Sequence, residues 1–199
     1  MITEMGYRMP EVNVAVVVGS NRLQSINRRL AQALVKLADG KITAKLVRID
    51  DLPMYNQDAE RPLPASVARF KAEIGAADAL LFVTPEHSRS IPAVLKNAID
   101  WGARPWGKTS WPGKPAAITG TSAGAISTAV VQQHLRAVIA DLGLHVAGGE
   151  AYIAYRPELI DAQNKVSDES VRKFLGEFME KFATFAARFA PAASSRAAA

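Results

Sequence analysis

The chain has 199 residues, the size of a single domain, and its hydrophobic and charged fractions of 49% and 22% are typical of soluble globular proteins. It contains no cysteine, which excludes disulfides, thiolate-bound metals and a cysteine nucleophile. The net charge of +5 is scattered without a basic run, which disfavours a nucleic-acid groove. No apolar run approaches the ~20 residues of a membrane span, and residues 1–11 lack a signal-peptide core. We therefore expect a cytoplasmic protein that binds neither membranes nor nucleic acid.

The amino-terminal half of the chain alternates between strand and helix patterns. The β-branched run Val12–Val18 predicts a strand buried on both faces, and the glycine, serine and asparagine that follow it indicate a turn. Apolar residues spaced three and four apart predict helices over residues 27–37 and 64–76. Between these helices, residues 44–49 are predicted as the second strand and residues 52–58 as an irregular loop.

The alternation continues through the carboxyl-terminal half. Further strands are predicted over residues 79–84 and 114–120, with a short last strand within residues 145–153. Further helices are predicted over residues 92–101, 126–142 and 167–189. The last of these helices begins near an imperfect capping box and has five phenylalanines at spacings of three and four, which indicates a core or interface stripe. Residues 191–199 have the composition of a disordered tail, so a single domain is expected over residues 1–190.

Strands and helices that alternate with short links predict a parallel sheet covered by helices on both faces. Five strands suit the flavodoxin-like order 2-1-3-4-5, an α/β three-layer sandwich. In such sheets ligands bind beyond the carboxyl ends of the strands, near the point where the strand order reverses. The loops that follow the first, third and fourth strands should therefore meet at one rim, and they are the candidate site.

The first rim loop, residues 19–27, has the features of an anion site. Backbone N–H groups at a helix start attract an anion, and the helix dipole adds to this attraction. Ser20, Ser25 and Asn27 can donate hydrogen bonds, and Arg22 can bind a phosphate with two N–H groups. Neither a dinucleotide-binding glycine motif nor a P-loop is present, which favours a terminal monophosphate. A plain turn with a helix cap is the alternative.

The other two rim loops favour a flat ligand. Residues 84–92 have prolines near both ends, which stiffen the loop so that its backbone can face a heterocycle. Glu86 and His87 suggest acid–base or metal chemistry, but no second histidine lies at ligand spacing, so we expect no metal. Residues 120–125 contain two glycines and two hydroxyl residues, which allow close backbone approach to a ligand. Together the three loops indicate a planar cofactor.

At these segments the sequence resembles the NADPH-dependent FMN reductase family, and specifically its chromate and quinone reductase branch. The sequence GSNR at residues 19–22, with Ser25 and Asn27, is close to the family pattern GSxRxxSxN. The segments LPMYNQD at 52–58 and TPEHSRSIPAVLKNAIDW at 84–101 match two further motifs. The resemblance spans residues 12–153.

The resemblance implies non-covalent FMN, NADPH or NADH as the reductant, and a homodimer or homotetramer. The implied phosphate contacts are Ser20, Arg22, Ser25 and Asn27. The implied contacts of the isoalloxazine ring are Pro85, Glu86, His87, Ser88, Ser122 and Gly124. Residues 54–58 would lie near a partner subunit's flavin, which makes Tyr55 a candidate substrate contact, and Arg104 is a second candidate that could steer an anionic acceptor.

Two departures from the family pattern stand out. The family often has tyrosine and asparagine where this chain has His87 and Ser88, which makes the face over the flavin more polar. Residues 129–133 lack the arginine and tyrosine that some relatives place at a tetramer contact. The second departure weakens the expectation of a tetramer more than that of a dimer.

The implied activity is two-electron transfer from NAD(P)H through flavin N5 to quinones, azo compounds, chromate or free flavin. Because both substrates would use one face of the flavin, ping-pong kinetics are expected, and no side chain is needed as a catalytic acid, base or nucleophile. Three alternatives stay open: a non-enzymatic flavodoxin-type electron carrier, a flavin-binding redox sensor, and a flavin-free nucleotide-binding domain. The first is disfavoured by the charge of +5, since such carriers are typically acidic.

Overall fold

The computed structural model describes residues 12–190, so the predicted tail at 191–199 and the first 11 residues of the predicted domain lie outside the described residues. The strands are β1 (Val12–Val18), β2 (Ile42–Val47), β3 (Ala79–Val83), β4 (Pro115–Ser122), β5 (His145–Val146) and β6 (Tyr152–Ala154). The α-helices are α1 (Ile26–Leu37), α2 (Ala65–Ala76), α3 (Ala93–Gly102), α4 (Ala129–Asp141) and α5 (Glu169–Ala187). A short 3₁₀ helix, Gln57–Glu60, lies partly within the loop predicted over residues 52–58.

The strands form a parallel sheet in the order β2-β1-β3-β4-β5. This confirms the predicted flavodoxin-like arrangement. β2 lies two residues earlier than predicted, because its ladder with β1 runs only from the pair Val12 and Ile42 to the pair Val17 and Val47. β1 ends at the next residue, and the turn that follows offers no further partner to β2.

β1 shows how each central strand contributes to both core layers. Val14 and Val16 belong to the apolar cluster that contains the buried faces of α1 and α5. Ala15 and Val17 belong to the cluster formed with α2, α3 and α4. A strand covered on both faces must be apolar at every buried position, which explains the nearly continuous apolar run, in which Asn13 is the exposed exception. The centre of the phenylalanine stripe, including Phe182, belongs to the first cluster and is therefore core.

Two short strands take the fifth position of the sheet, where the sequence predicted one. β5 pairs with the start of β4, and β6 pairs with its end. The intervening residues 147–151 leave the ladder at a pair of glycines, of which Gly149 has a φ of +92°. The Ala151 carbonyl in this segment accepts hydrogen bonds from Thr119 Oγ1 at 2.9 Å and Gln132 Nε2 at 3.0 Å. Side chains of β4 and α4 thus satisfy a backbone carbonyl that the ladder leaves free.

The start of α4 was predicted wrongly. The helix begins at Ala129, three residues after the predicted start, because Ser127 adopts a left-handed conformation with a φ of +50°. The N–H of Ser127 donates to the Gly124 carbonyl at 2.9 Å and closes a turn before the helix. The other predicted boundaries agree with the structure to within two residues.

The cap of α5 also differs from the predicted capping box. The N-cap residue is Asp168 rather than Ser167. Its carboxylate accepts the backbone N–H groups of Ser170 and Val171 at 3.0 and 3.1 Å. A carboxylate can accept both of these unpaired N–H groups and complements the helix dipole.

Candidate functional site

The carboxyl ends of β1, β3 and β4 approach so closely that two positions require glycine. A Cβ atom on Gly19 would lie 2.5 Å from Thr84 Oγ1, and one on Gly120 would lie 1.9 Å from the Thr84 carbonyl oxygen. The N–H of Gly19 also donates to the Val83 carbonyl at 2.9 Å. The three rim loops therefore begin side by side, as the strand order predicts.

The first loop leads into a helix start that is suited to an anion. Ser25 caps α1, its Oγ accepting the Arg28 N–H at 3.2 Å. The first turn contains Arg28 and Arg29 and no acidic residue, although a helix start already carries a partial positive charge. Arg22 is exposed beside it, and Ser20 Oγ accepts the Arg22 N–H at 3.4 Å. This terminus has the positive charge and the N–H donors that bind a phosphate.

Asn27 joins the first rim loop to the loop that follows β4, which is called the fourth loop below. Its side chain is buried, with Nδ2 donating to the Thr121 carbonyl and Oδ1 accepting the Thr121 N–H, both at 2.9 Å. The sequence predicts this amide as a phosphate donor. The structure gives it a further role, because these two bonds hold the start of α1 against the end of β4.

Glu86 attaches the loop that follows β3, which is called the third loop below, to α4. Its side chain is 7% exposed, and its carboxylate accepts the Val131 N–H in the first turn of α4 at 3.0 Å. The other carboxylate oxygen pairs with Arg89 at 3.1 Å. The protein's own carboxylate thus complements the positive end of α4, whereas the first turn of α1 contains no acidic residue. Pro85, which precedes Glu86, is half-buried.

The tip of the third loop is a tight hairpin. His87 and Ser90 exchange backbone hydrogen bonds of 3.1 and 2.8 Å, and between them Ser88 and Arg89 have φ values of +47° and +60°. Two consecutive left-handed residues are typical of a type I′ turn, which costs non-glycine residues about 1–2 kcal/mol each. Ser90 Oγ lies 3.0 Å from His134 Nδ1 on α4. The base of the hairpin is thus held to α4 through Ser90, while His87 and Ser88 are exposed to solvent.

In the fourth loop the Ser122 hydroxyl forms hydrogen bonds to the backbone, and Gly124 is exposed. Ser122 Oγ donates to the Ser127 carbonyl at 3.0 Å and accepts the Gly124 N–H at 3.4 Å. Gly124 is exposed, and a Cβ atom there would meet nothing nearer than 3.8 Å. Ala123 and Tyr155 line a cavity of about 610 Å³ together with residues of the first loop and α1. The first and fourth loops thus border one open volume.

Two motifs quoted from the sequence, at residues 52–58 and 84–101, are hydrogen-bonded to each other. Asn97 Oδ1 accepts the Tyr55 N–H at 2.7 Å, and Asn97 Nδ2 donates to the Pro53 carbonyl at 2.9 Å. Trp101 Nε1 donates to the same carbonyl at 2.7 Å. Asn97 and Trp101 are both buried on α3. We did not predict this role of Asn97 from the sequence, although a polar residue on an otherwise apolar helix face indicates such a role.

The two candidate substrate residues contact each other. Arg104 Cζ lies 5.9 Å from the centroid of the Tyr55 ring, within cation–π range, and Trp101 packs edge-on against Tyr55 at 5.1 Å. The Tyr55 hydroxyl donates to Glu60 at 2.8 Å. Burial and this hydrogen bond raise the pKa of Tyr55, so the phenol is neutral at physiological pH. This cluster is joined to the third rim loop through α3.

Within residues 12–190, no group of three or more histidine, aspartate or glutamate side chains is placed to hold a metal ion. None of the helices in this range is both long and apolar enough to cross a membrane.

Comparison with known proteins decides the family. The family model described as NADPH-dependent FMN reductase matches residues 12–157, more than half of the chain. The chain belongs to this family. A 2-hydroxy-1,4-benzoquinone reductase from a Burkholderia species is 47% identical over 175 residues, covering 87% of this chain and 96% of that relative. A quinone reductase from Pseudomonas putida is 45% identical, covering 87% and 94% respectively.

Solved structures agree with this family. FerB, a flavoenzyme NAD(P)H:(acceptor) oxidoreductase from Paracoccus denitrificans, matches with a TM-score of 0.87 and 43% identity, covering 89% of this chain and 98% of FerB. An azoreductase from Bacillus anthracis, at 17% identity with a TM-score of 0.54 and coverage of 89% and 99%, is similar in fold alone. These matches confirm the predicted family, fold and oxidoreductase class, with FMN and NAD(P)H as the family's cofactors.

Proposed function

We propose that the chain is an FMN-dependent NAD(P)H:quinone reductase. The observation that carries this proposal is the start of α1, where a capped helix terminus with arginines and no acidic residue faces the rim of the sheet. A phosphate dianion would complement both the free N–H groups and these cations. The quinone acceptor is supported by the relatives named quinone reductase, which match nearly over their full length.

The residues of the three loops fit FMN. We assign its phosphate to Ser20, Arg22 and Ser25, with Asn27 holding this helix start in place. We assign its ring to residues of the other two loops, namely Pro85, Glu86, His87, Ser88, Ser122 and Gly124. Within this set Glu86 positions the loop, because both of its carboxylate oxygens are already bonded to α4 and Arg89.

FMN held by these residues would supply two-electron transfer, at its N5 atom, between NAD(P)H and the acceptor. In the overall reaction NAD(P)H is oxidised to NAD(P)⁺, while the quinone gains two electrons and two protons, one of them from water. The protein binds and orients the reactants, and the Arg104 guanidinium attracts an anionic acceptor. Because both substrates use the same face in turn, ping-pong kinetics follow. We also propose chromate, azo compounds and free flavin as further acceptors.

We also propose a homodimer, with a homotetramer as the larger alternative. Met54 and Trp106, close to Tyr55 and Arg104 in sequence, are 75% and 88% exposed, and a second copy of the chain would cover such large apolar side chains. We place the enzyme in the cytoplasm, where NAD(P)H is available. Sedimentation of the purified protein tests the first proposal, and fractionation of cells tests the second.

The proposed function is tested by the absorption spectrum of the purified protein and by anaerobic addition of NADPH. We expect flavin bands at about 375 and 450 nm that bleach with NADPH and return with 1,4-benzoquinone. Bands that persist would indicate an electron carrier or sensor, and a protein that takes up no FMN would refute the proposal. Arg22→Ala should weaken FMN binding by about 1.5–3 kcal/mol, the usual contribution of a charge-assisted hydrogen bond. Unchanged affinity in an FMN titration would remove Arg22 from the site.

A further inference from the structure

Lys71, on α2, uses its whole ammonium group within the protein. This half-buried group donates to the Lys108 carbonyl at 2.9 Å, to Ser110 Oγ at 3.1 Å and to the Gly102 carbonyl at 3.2 Å. An ammonium group has three N–H donors, so each of them has an oxygen acceptor here. Burial lowers the pKa of Lys71, because the charged form loses contact with water. The three acceptors offset this cost and fix the ammonium group in one place.

The three acceptors lie in, or directly before, one loop between α3 and β4. Residues 103–110, called the Arg104 loop below, leave the end of α3, and the Ser110 N–H donates back to the Gly102 carbonyl at 2.9 Å. The loop therefore begins and ends at the same place, as Ω-loops do. Trp111, which follows it, is buried and bonded to a carbonyl of α3, whereas residues 106–109 are all exposed. The loop thus has a fixed base and a middle with little packing of its own.

This loop carries Arg104, one of the two candidate substrate contacts. Arg104 Cζ lies 5.9 Å from the centroid of the Tyr55 ring, so the contact between the two candidates depends on where the loop backbone lies. Lys71 binds the base of the loop and also, at the Lys108 carbonyl, its exposed part. The neighbouring Phe70 is fully buried, so α2 gives Lys71 a fixed support. The position of Arg104 is therefore tied to α2 through Lys71.

We propose that Lys71 is a positioning residue for the electron acceptor: it holds the Arg104 loop closed, so that Arg104 stays over Tyr55 and binds the charged group of an anionic quinone. In this role Lys71 contacts neither FMN nor the acceptor and acts through Arg104. Without its three hydrogen bonds, the loop adopts open positions in which Arg104 leaves Tyr55, and the affinity for anionic quinones falls. This inference rests on the proposed reductase function and adds to it a residue that determines which quinones are preferred.

The kinetic test compares Lys71→Met with the wild type as FMN-loaded enzymes, with NADPH as the reductant. Methionine keeps the apolar stem of the side chain and removes the three donors. KM for 2-hydroxy-1,4-naphthoquinone, which is an anion at neutral pH, should rise about fivefold or more. KM for the neutral 2-methyl-1,4-naphthoquinone and Kd for FMN should both stay within about twofold. Lys71→Arg, which restores charged donors, should recover most of the loss, and Lys71→Gln takes the place of Lys71→Met if that variant does not fold.

Lys114→Met is the matched control. Lys114 is also half-buried, and its Nζ donates to the Gly75 and Ala77 carbonyls at 3.2 and 2.6 Å, so none of these acceptors belongs to the Arg104 loop. Both methionine variants should lose stability, but only Lys71→Met should change KM for the anionic quinone. An equal rise in KM for both variants would indicate a general loss of stability and overturn the inference, as would an unchanged KM in Lys71→Met.

Limited proteolysis of the same holoenzymes supplies a readout that does not depend on turnover. Trypsin cleaves after lysine, and Lys108 lies in the exposed part of the Arg104 loop. Cleavage after Lys108, identified by mass spectrometry, should be at least about tenfold faster in Lys71→Met than in the wild type or Lys114→Met. Equal rates of this cleavage would overturn the inference. A wild-type protein that takes up no FMN or lacks NAD(P)H turnover would instead refute the proposed function, and the proteolysis would still decide whether Lys71 holds the loop.

Discussion

Replacing Asn97 by leucine tests the link between α3 and the segment at residues 52–58. Leucine is similar in size, so it leaves no large cavity, but it removes the acceptor of the Tyr55 N–H and one donor to the Pro53 carbonyl. An unpaired buried donor costs about 1–3 kcal/mol and a lost hydrogen bond about 0.5–1.5 kcal/mol. Since Trp101 still bonds the Pro53 carbonyl, we expect a total loss of about 2–4 kcal/mol.

Urea unfolding of the FMN-free protein, followed by circular dichroism, measures this change in the free energy of unfolding. Lys96→Ala on the same helix is the control, because it removes only the exposed pair with Asp100 and should cost less than about 0.5 kcal/mol. In the holoenzyme, Asn97→Leu should raise KM for the quinone and leave FMN affinity unchanged, because Tyr55 is displaced while the first loop is not. An Asn97→Leu variant as stable as Lys96→Ala would refute the reasoning.

Two further predictions concern backbone packing and pH. Gly120→Ala should destabilise the protein by about 1–3 kcal/mol or more, because its Cβ would lie 1.9 Å from the Thr84 carbonyl oxygen. The control is Gly75→Ala, in open space on α2, which should stabilise the protein by about 0.5–1 kcal/mol. Equal effects of the two substitutions in thermal unfolding would contradict this prediction. Asp168→Ala should lower Tm at neutral pH. Hydrogen bonds from Ser170 and Arg156 hold the pKa of Asp168 below its ordinary 3.8. The difference in Tm between the variant and the wild type should therefore shrink only as the pH falls below about 4. A difference in Tm that stays constant with pH would contradict this prediction.

Much of the fold follows from local patterns. The apolar run of β1 suits only a strand buried on both faces, and the helix stripes marked most helix limits to within two residues. The start of α4 could not be predicted in this way, because the left-handed Ser127 follows from its buried place beside β6, where its Oγ donates to the Ile153 carbonyl at 2.7 Å. The division of the last strand likewise depends on bonds between Thr119 or Gln132 and the Ala151 carbonyl.

The sequence by itself determined the order of the elements and the polar, anion-attracting character of the first loop, since both depend on residues close together in the chain. Only the tertiary structure decided how the polar side chains are used. Glu86 and Val131 are 45 positions apart, Asn27 and Thr121 are 94 apart, and Tyr55 and Asn97 are 42 apart. Hydrogen bonds across such separations exist only once the parallel sheet has brought the ends of its strands to one rim.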